Sequence, residues 1–135
     1  MSVAPARGLV DTSILLADES GRPLDVERLP DEVAISAVTL AELNVGVLAA
    51  RDADTRARRL ATLDATADVQ LLPIDERVAA AWARLRVHLA EAGRQLNVND
   101  LWIAATALAH DLPVVTRGDD FPPVEGVAGL RVVRV

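Results

Sequence analysis

Hydrophobic residues fall into short apolar runs that alternate with helical repeats along the chain. Runs that end at a polar residue or a proline predict strands at residues 7–11, 32–36, 69–73, 113–116 and 130–135. Repeats at three- and four-residue spacing predict helices at residues 12–17, 38–49, 54–67, 75–92 and 99–110. Strands that alternate with helices favour a mostly parallel sheet with helices on both faces.

The longest helical repeat contains one of the two tryptophans. Val78, Trp82, Leu85 and Leu89 recur on one face, and Gly93 ends the repeat. We therefore predict that Trp82 belongs to the core.

Composition limits the class of protein. The 135 residues are 51% hydrophobic, which suits one domain spanning residues 1–135. There is no cysteine, so disulfides and thiolate metal sites are excluded, and a reducing cytoplasm is favoured. No apolar run approaches the roughly 18 residues of a membrane span, and we expect no membrane partner.

The charge pattern restricts how nucleic acid can bind. A net charge of −6 argues against a general nucleic-acid coat protein, although it permits a nuclease. All basic residues are arginines, and four of them fall in one segment: Arg51, Arg56, Arg58 and Arg59. These arginines fit either a solvated helix face or contacts to RNA phosphates. With 2% aromatic residues, stacking on bases is not expected to dominate recognition.

Acidic residues stand where predicted strands meet predicted helices. Asp11, Glu42 and Asp100 each lie near the start of a helix, and Asp119 and Asp120 follow the strand at 113–116. An open α/β sheet gathers such junctions along one edge, where ligands bind. Carboxylates gathered there without a lysine repel one another and favour a hard divalent cation such as Mg²⁺.

Each acid also has an ordinary structural explanation. Asp11 could cap a helix, and Thr39 with Glu42 has the spacing of a capping box. Asp100 could be an anion favoured by the helix dipole, with Asn99 as the helix cap. Their joint occurrence after separate strands nevertheless favours a common site.

Other chemistries have little support in the sequence. Neither a G-x-G-x-x-G nor a G-x-x-x-x-G-K-[ST] segment is present. The absence of lysine weighs against a phospho-acceptor receiver domain. His88 and His110 lack zinc-ligand spacing, and no histidine lies near Ser13 in sequence, so Ser13 is assigned to helix-start hydrogen bonding.

Four segments together resemble a known family. They are Val10-Asp11-Thr12-Ser13, Ile35 to Gly46 with its Thr39-Leu40-Ala41-Glu42, Asn99-Asp100-Leu101-Trp102, and Val115-Thr116-Arg117-Gly118-Asp119-Asp120-Phe121. In order and spacing they resemble a PIN domain, specifically a VapC-type toxin ribonuclease. The resemblance implies a PIN-like three-layer α/β/α sandwich with a mostly parallel central sheet.

The resemblance also implies an activity and its partners. It implies an endoribonuclease toxin dependent on Mg²⁺ or Mn²⁺ that cuts tRNA or a ribosomal RNA loop. A small antitoxin encoded beside the gene would neutralise it. A homodimer, joined by antitoxin into a higher assembly, is the expected state.

The site residues implied by the resemblance include one position where this chain departs from the family pattern. Asp11, Glu42 and Asp100 match three metal-binding acids. Where the family usually has a fourth acid or asparagine, this chain has Gly118. Because glycine allows positive φ, the backbone could turn Asp119 inward, so Asp119 is preferred and Asp120 is assigned to the turn.

The chemistry of such a site follows from its charges. Cations held by carboxylates lower the pKa of a bound water and neutralise charge on the scissile phosphate. Glu42 or the fourth acid could orient the water. Hydroxyl, amide and guanidinium groups nearby could support the acids or contact RNA, and the candidates are Thr12, Ser13, Asn99, Thr116 and Arg117.

Two other functions stay open from sequence alone. The first half is richer in apolar residues than one helix face needs, as a catalytically weak α/β module that binds a partner protein would be. An aspartate- and metal-dependent phosphatase is a third option.

Overall fold

The computed structural model describes residues 4–135. Its strands are β1 (Arg7–Val10), β2 (Glu32–Ser36), β3 (Gln70–Leu72), β4 (Val114–Thr116) and β5 (Val132–Arg134). Its helices are α1 (Thr12–Glu19), α2 (Ala37–Leu48), α3 (Ala53–Ala65), α4 (Glu76–Ala92) and α5 (Val98–Ala109). The predicted strands and helices are all present, with ends that shift by at most two residues.

The strands form one sheet in the order β3-β2-β1-β4-β5, and each neighbouring pair is parallel. The chain therefore enters at the centre, extends to one side through β2 and β3, and then continues on the other side through β4 and β5. This change of direction makes the gap beyond β1 and β4 the topological switch point, where α/β sheets bind ligands. Asp11 directly follows β1 at that gap.

Alternating side chains along the strands separate two apolar layers. Leu9 and Val114 are buried with residues of α4 and α5, whereas Val10 and Val115 are buried on the opposite face with Ile14 of α1. α3 contacts both α1 and α2 beside that second layer. The three-layer α/β/α arrangement with a parallel central sheet is therefore confirmed.

Polar caps determine where the later helices begin. A cap side chain accepts a hydrogen bond from a backbone N–H of the first turn at four helices, and the caps are Ser36 for α2, Asp52 for α3, Asp75 for α4 and Asn97 for α5. Gly93 ends α4 with φ of 64°, the left-handed conformation that glycine adopts without strain. The loop from Gly93 to Asn97 consequently delivers the chain to the start of α5.

The two tryptophans stack where α4 packs against α5. Their ring centroids are 5.0 Å apart with planes 20° from parallel. Trp82 is only partly buried and packs against the core from its edge, so its predicted core position is correct in part. Among the described residues, no helix combines the length and apolarity that crossing a bilayer requires.

Candidate active site

Asp11 is a buried carboxylate at the switch point of the sheet. Its backbone N–H donates to the carbonyl of Val115 over 3.0 Å, which ties the end of β1 to β4. The residue is 4% exposed, and its side chain accepts hydrogen bonds from Ser13 Oγ (2.5 Å) and Thr116 Oγ1 (2.7 Å). Burial raises the pKa of Asp11, and the hydroxyl hydrogen bonds oppose that effect.

The Asp11 side chain does not cap α1, although the residue occupies the N-cap position. Its carboxylate oxygens are instead held by side-chain hydroxyls. The strongest hydrogen bonds to the Asp11 carboxylate therefore come from Ser13 and Thr116, and the backbone N–H groups of Ser13 and Ile14 act on it less strongly.

Glu42 reaches the same edge from the second turn of α2. Thr12 Oγ1 donates to Glu42 Oε1 over 2.6 Å and also lies 3.2 Å from Thr39 Oγ1. The proposed capping box of Thr39 and Glu42 is wrong, because Ser36 caps α2 and accepts from the Thr39 N–H over 3.0 Å. The Glu42 carboxylate therefore takes no part in capping α2 and is available to bind a ligand.

Asp100 lies half-buried in the first turn of α5. Burial first, and then the charges of Asp120, Asp11 and Glu42, raise its pKa to about 6. Three carboxylates from other elements are thus close enough to disfavour its charged form. The prediction that Asn99 caps this helix is wrong, since the cap is Asn97, which accepts from the Asn99 N–H over 2.9 Å.

Asp119, the preferred fourth acid, lies in an ion pair. Arg134 of β5 donates from Nε to Asp119 Oδ1 over 3.1 Å, and its Nη2 lies 2.9 Å from Glu125 Oε1. The Asp119 side chain is 77% exposed. Its charge is not among the causes that raise the pKa of Asp100.

Asp120 is the acid whose charge acts on Asp100. A Cβ atom built on Gly118 would stand 3.1 Å from Asp120 Oδ2. Gly118 does not use the positive φ expected from the sequence, because the described glycines with positive φ are Gly21, Gly93, Gly126 and Gly129. Glycine at this position instead leaves room for the Asp120 carboxylate.

The remaining predicted residues surround these acids. Asn99 is exposed beside Asp100, with no side-chain hydrogen bond in the part of the chain that the structure describes. The Arg117 backbone N–H donates to Ser13 Oγ over 3.0 Å, and its Nε donates to the carbonyl of Pro23 over 3.3 Å. Arg117 is therefore an exposed cation attached to the rim of the acidic edge.

The donor set consists of carboxylate and hydroxyl oxygens. Among residues 4–135, none of the acids Asp11, Glu42, Asp100 and Asp120 lies within 4.0 Å of an arginine or histidine nitrogen. Oxygen donors without nitrogen or sulfur suit Mg²⁺, Mn²⁺ or Ca²⁺. No three acidic or imidazole side chains of that range converge to ligation distance, so binding of one cation by three of these acids would require their side chains to move closer together.

An apolar groove adjoins the acids. Its volume is about 260 Å³, and it is lined by Thr12, Leu16, Glu19, Glu42, Leu43, Val45, Gly46 and Arg59. Val45 is 63% exposed and the nearby Leu48 of α2 is 82% exposed. Because Thr12 and Glu42 line the groove, a segment lying in it would reach the edge of the acidic cluster.

Two buried hydroxyl residues lie behind Glu42: sequence reasoning gave Ser36 no role and assigned Thr39 only to a capping box. Ser36 and Thr39 are both fully buried, and Ser36 Oγ lies 3.4 Å from Thr39 Oγ1. Thr39 Oγ1 in turn lies 3.2 Å from the Thr12 hydroxyl that binds Glu42. The sequence did contain a signal, since a serine after an apolar strand and three residues before a threonine fits a helix cap.

Comparisons with known proteins agree with this architecture. The PIN domain family model matches residues 8–127. The chain is 56% identical to Ribonuclease VapC5 of Mycobacterium tuberculosis over 100% of both sequences. It is 40% identical to Ribonuclease VapC4 of the same organism, over 93% of this chain and 97% of that protein.

A solved structure has the same fold over nearly the whole chain. The crystal structure of VapBC-5 from Mycobacterium tuberculosis, described as a member of the VapBC family of toxin-antitoxin systems, matches with a TM-score of 0.91 and 53% identity. The match covers 97% of this chain and 100% of that one. The chain therefore belongs to the PIN-domain family, as an endoribonuclease toxin related to the VapC proteins of toxin–antitoxin systems.

Proposed function

We propose that Asp11, Glu42, Asp100 and Asp120 bind Mg²⁺ and that this centre hydrolyses RNA phosphodiester bonds. The carrying observation is that Asp120, Asp11 and Glu42, on separate segments, lie close enough to Asp100 for their charges to raise its pKa beyond the effect of burial. Such mutual repulsion is relieved by a divalent cation. Asp119 is replaced by Asp120 in this proposal because Arg134 already neutralises Asp119.

When bound, the cation supplies charge neutralisation at the scissile phosphate and acidifies the attacking water. The protein's own groups fix the positions of its acids. Ser13 and Thr116 hold one Asp11 oxygen each, and Thr12 holds one oxygen of Glu42. The Ser13 and Thr116 hydroxyls lower the pKa of Asp11 against the effect of burial, so they favour the ionised state that a cation requires.

Half-buried Asp100 and exposed Asp120 are the acids that remain adjustable. The side chains of both acids make no hydrogen bond to the described part of the chain, which leaves their oxygens free for a cation or for the attacking water. We assign the water-orienting role to Glu42 or Asp120, because both carboxylates lie close enough to Asp100 to raise its pKa. Arg117 on the rim is assigned to a phosphate contact.

The substrate we propose is a structured RNA of the tRNA or ribosomal RNA class. A net charge of −6 gives no broad attraction for phosphate, so recognition must come from local arginines and shape. Arg117 is one such local cation beside the acids.

The apolar groove supports a protein partner, which we propose to be a small cognate antitoxin. The similar VapBC-5 structure is described as a member of a toxin-antitoxin family, and a toxin-antitoxin complex from Klebsiella pneumoniae matches with a TM-score of 0.61 and 27% identity. An apolar segment in the groove would cover Leu16 and Val45. An arginine at its end would pair with the acids and compete with both metal and RNA.

We further propose that residues 1–135 act as one domain in the cytoplasm. The sheet shared by all strands and the absence of cysteine support this assignment.

Cleavage of RNA by the purified protein tests the proposed function. Bulk tRNA and ribosomal RNA would be incubated with Mg²⁺, Mn²⁺, Ca²⁺ or EDTA. We expect cleavage with Mg²⁺ and Mn²⁺, none with EDTA, and a loss of at least roughly 100-fold in Asp100→Asn. Asp64→Asn is the matched control, since Asp64 is an exposed acid on α3. Equal cleavage in EDTA would contradict the proposal.

A further inference from the structure

A second cleft lies beside the start of α5 and is not lined by any of the four acids. Its volume is about 280 Å³, and it is formed by the end of α4, the loop 93–97 and the start of α5. Its lining comprises Trp82, Arg86, Leu89, Arg94, Gln95, Leu96, Val98 and Leu101. We refer to it as the α4–α5 cleft.

Two arginines give this cleft a positive rim. Arg86 and Arg94 are exposed, and within residues 4–135 neither forms an ion pair with a carboxylate. Two arginines elsewhere are engaged: Arg134 pairs with Asp119 and Glu125, and Arg59 donates to the Gly46 carbonyl over 2.7 Å. Arg86 and Arg94 can therefore offer their planar donors to an external phosphate.

The floor of the cleft is apolar and aromatic. Leu89 and Leu101 are buried there, and Trp82 rests on Trp102 at a centroid distance of 5.0 Å. The buried indole Nε1 of Trp82 has no hydrogen-bond partner in the described structure. An aromatic and apolar floor beneath guanidinium groups matches a nucleotide, which combines a flat base with a phosphate.

The cleft and the acidic edge both include residues of the first turn of α5. Val98 and Leu101, which line the cleft, flank Asp100 in sequence, and exposed Asn97 and Asn99 occupy the same turn. A strand of RNA held at Asp100 therefore needs to pass only around this turn to enter the cleft.

We propose that the α4–α5 cleft binds a nucleotide of the RNA substrate next to the cleaved segment, with Arg86 and Arg94 contacting its phosphates. This proposal rests on the proposed RNA hydrolysis but concerns a separate surface. Arg86 and Arg94 contribute to substrate binding and leave the acids unchanged. Their removal should therefore raise KM and leave kcat as it was.

Binding in EDTA tests the cleft without requiring cleavage. Bulk tRNA would be titrated into wild type, Arg86→Gln, Arg94→Gln and the double variant at several salt concentrations. Arg84→Gln is the control, because Arg84 is an exposed arginine of α4 that does not line the cleft. We expect the double variant to bind at least about ten-fold more weakly. Its slope of log affinity against log salt should fall by roughly 0.7 for each phosphate that the variant no longer neutralises.

Cleavage rates separate failure of the cleft from failure of the catalytic proposal. If wild type cleaves RNA but the double variant matches Arg84→Gln in affinity, salt slope and KM, the cleft is overturned and the catalytic proposal stands. If wild type does not cleave RNA, the catalytic proposal fails. The cleft is then tested by the RNA affinity of the double variant compared with that of Arg84→Gln in EDTA. Melting temperatures equal to wild type would show that these surface variants are folded.

Discussion

Arg134 donates to Asp119 Oδ1 over 3.1 Å while its guanidinium also binds Glu125, so it holds Asp119 in a network of three charged side chains. The charge of Asp119 is therefore already paired with the guanidinium of Arg134. Asp120, one residue later, forms no ion pair within the described residues. Its charge instead raises the pKa of Asp100. The two adjacent aspartates differ in their surroundings because Arg134 of β5 pairs with only one of them.

Asp120→Asn is predicted to cost far more activity than Asp119→Asn. Removal of a metal-binding charge weakens transition-state stabilisation, whereas Asp119 contributes an exposed ion pair worth roughly 0.2–1 kcal/mol of folding stability. RNA cleavage at saturating Mg²⁺ should fall at least ten-fold for Asp120→Asn and less than three-fold for Asp119→Asn. The reverse order would restore Asp119 as the fourth acid.

Gly118→Ala is predicted to weaken metal binding without unfolding the protein. The new Cβ would lie 3.1 Å from Asp120 Oδ2, so that carboxylate must shift by a few tenths of an ångström. Because the Gly118 backbone does not need positive φ, folding should be little affected. The Mg²⁺ concentration for half-maximal cleavage should rise several-fold at an unchanged melting temperature in EDTA. An unchanged Mg²⁺ requirement would show that Asp120 does not bind the ion.

Thr12→Val is predicted to lower kcat by removing the hydroxyl that binds Glu42 over 2.6 Å. A hydrogen bond to a charged group contributes about 1.5–3 kcal/mol, which corresponds to a decrease of roughly ten-fold or more. Thr12→Ser retains the hydroxyl and should keep most of the activity. Equal decreases in the two variants would mean that the methyl group, not the hydrogen bond, is what matters.

The pH dependence of stability in EDTA should carry the signature of Asp100. Its folded pKa of about 6 lies above the ordinary value of 3.8, so the folded state keeps a proton that the unfolded state has lost. The contribution of protonated Asp100 to the free energy of unfolding is therefore complete below about pH 4 and is lost as the pH rises through 6. Asp100→Asn should raise the melting temperature at pH 7.5 relative to wild type, with a smaller gain at pH 4.5. Equal differences at both pH values would exclude the raised pKa.

Hydrophobic periodicity predicted the elements well because the strands bury alternate side chains on the two faces of the sheet, whereas the helices bury side chains along one face. Leu9 and Val10 pack on different faces of β1, and Val78, Leu85 and Leu89 line one face of α4. The junction rule likewise placed Asp11, Glu42 and Asp100 at one edge. Strand order was not contained in any local pattern, because it depends on which strands pair across distant segments.

The ion pair that distinguishes Asp119 from Asp120 could not be predicted for the same reason. Arg134 is 15 residues from Asp119 in sequence, and β4–β5 pairing brings them together. Cap positions were misjudged where two polar residues compete within one turn, as Asn97 and Asn99 do before α5. Local preference ranks such candidates equally, and backbone geometry decides between them.

The central claim is that four carboxylates form a divalent cation site, and they are those of Asp11, Glu42, Asp100 and Asp120. Stabilisation of the folded protein by metal tests this claim most directly. Melting temperatures of wild type, Asp100→Asn and the Asp64→Asn control would be measured at pH 7.5 in EDTA and across millimolar Mg²⁺ and Mn²⁺. A cation that binds only the folded state stabilises it by about 2.7 kcal/mol at 100 times its Kd. The melting temperature should rise with metal for wild type and Asp64→Asn and stay nearly constant for Asp100→Asn. An unchanged melting temperature for wild type, or an equal rise in Asp100→Asn, would contradict the claim.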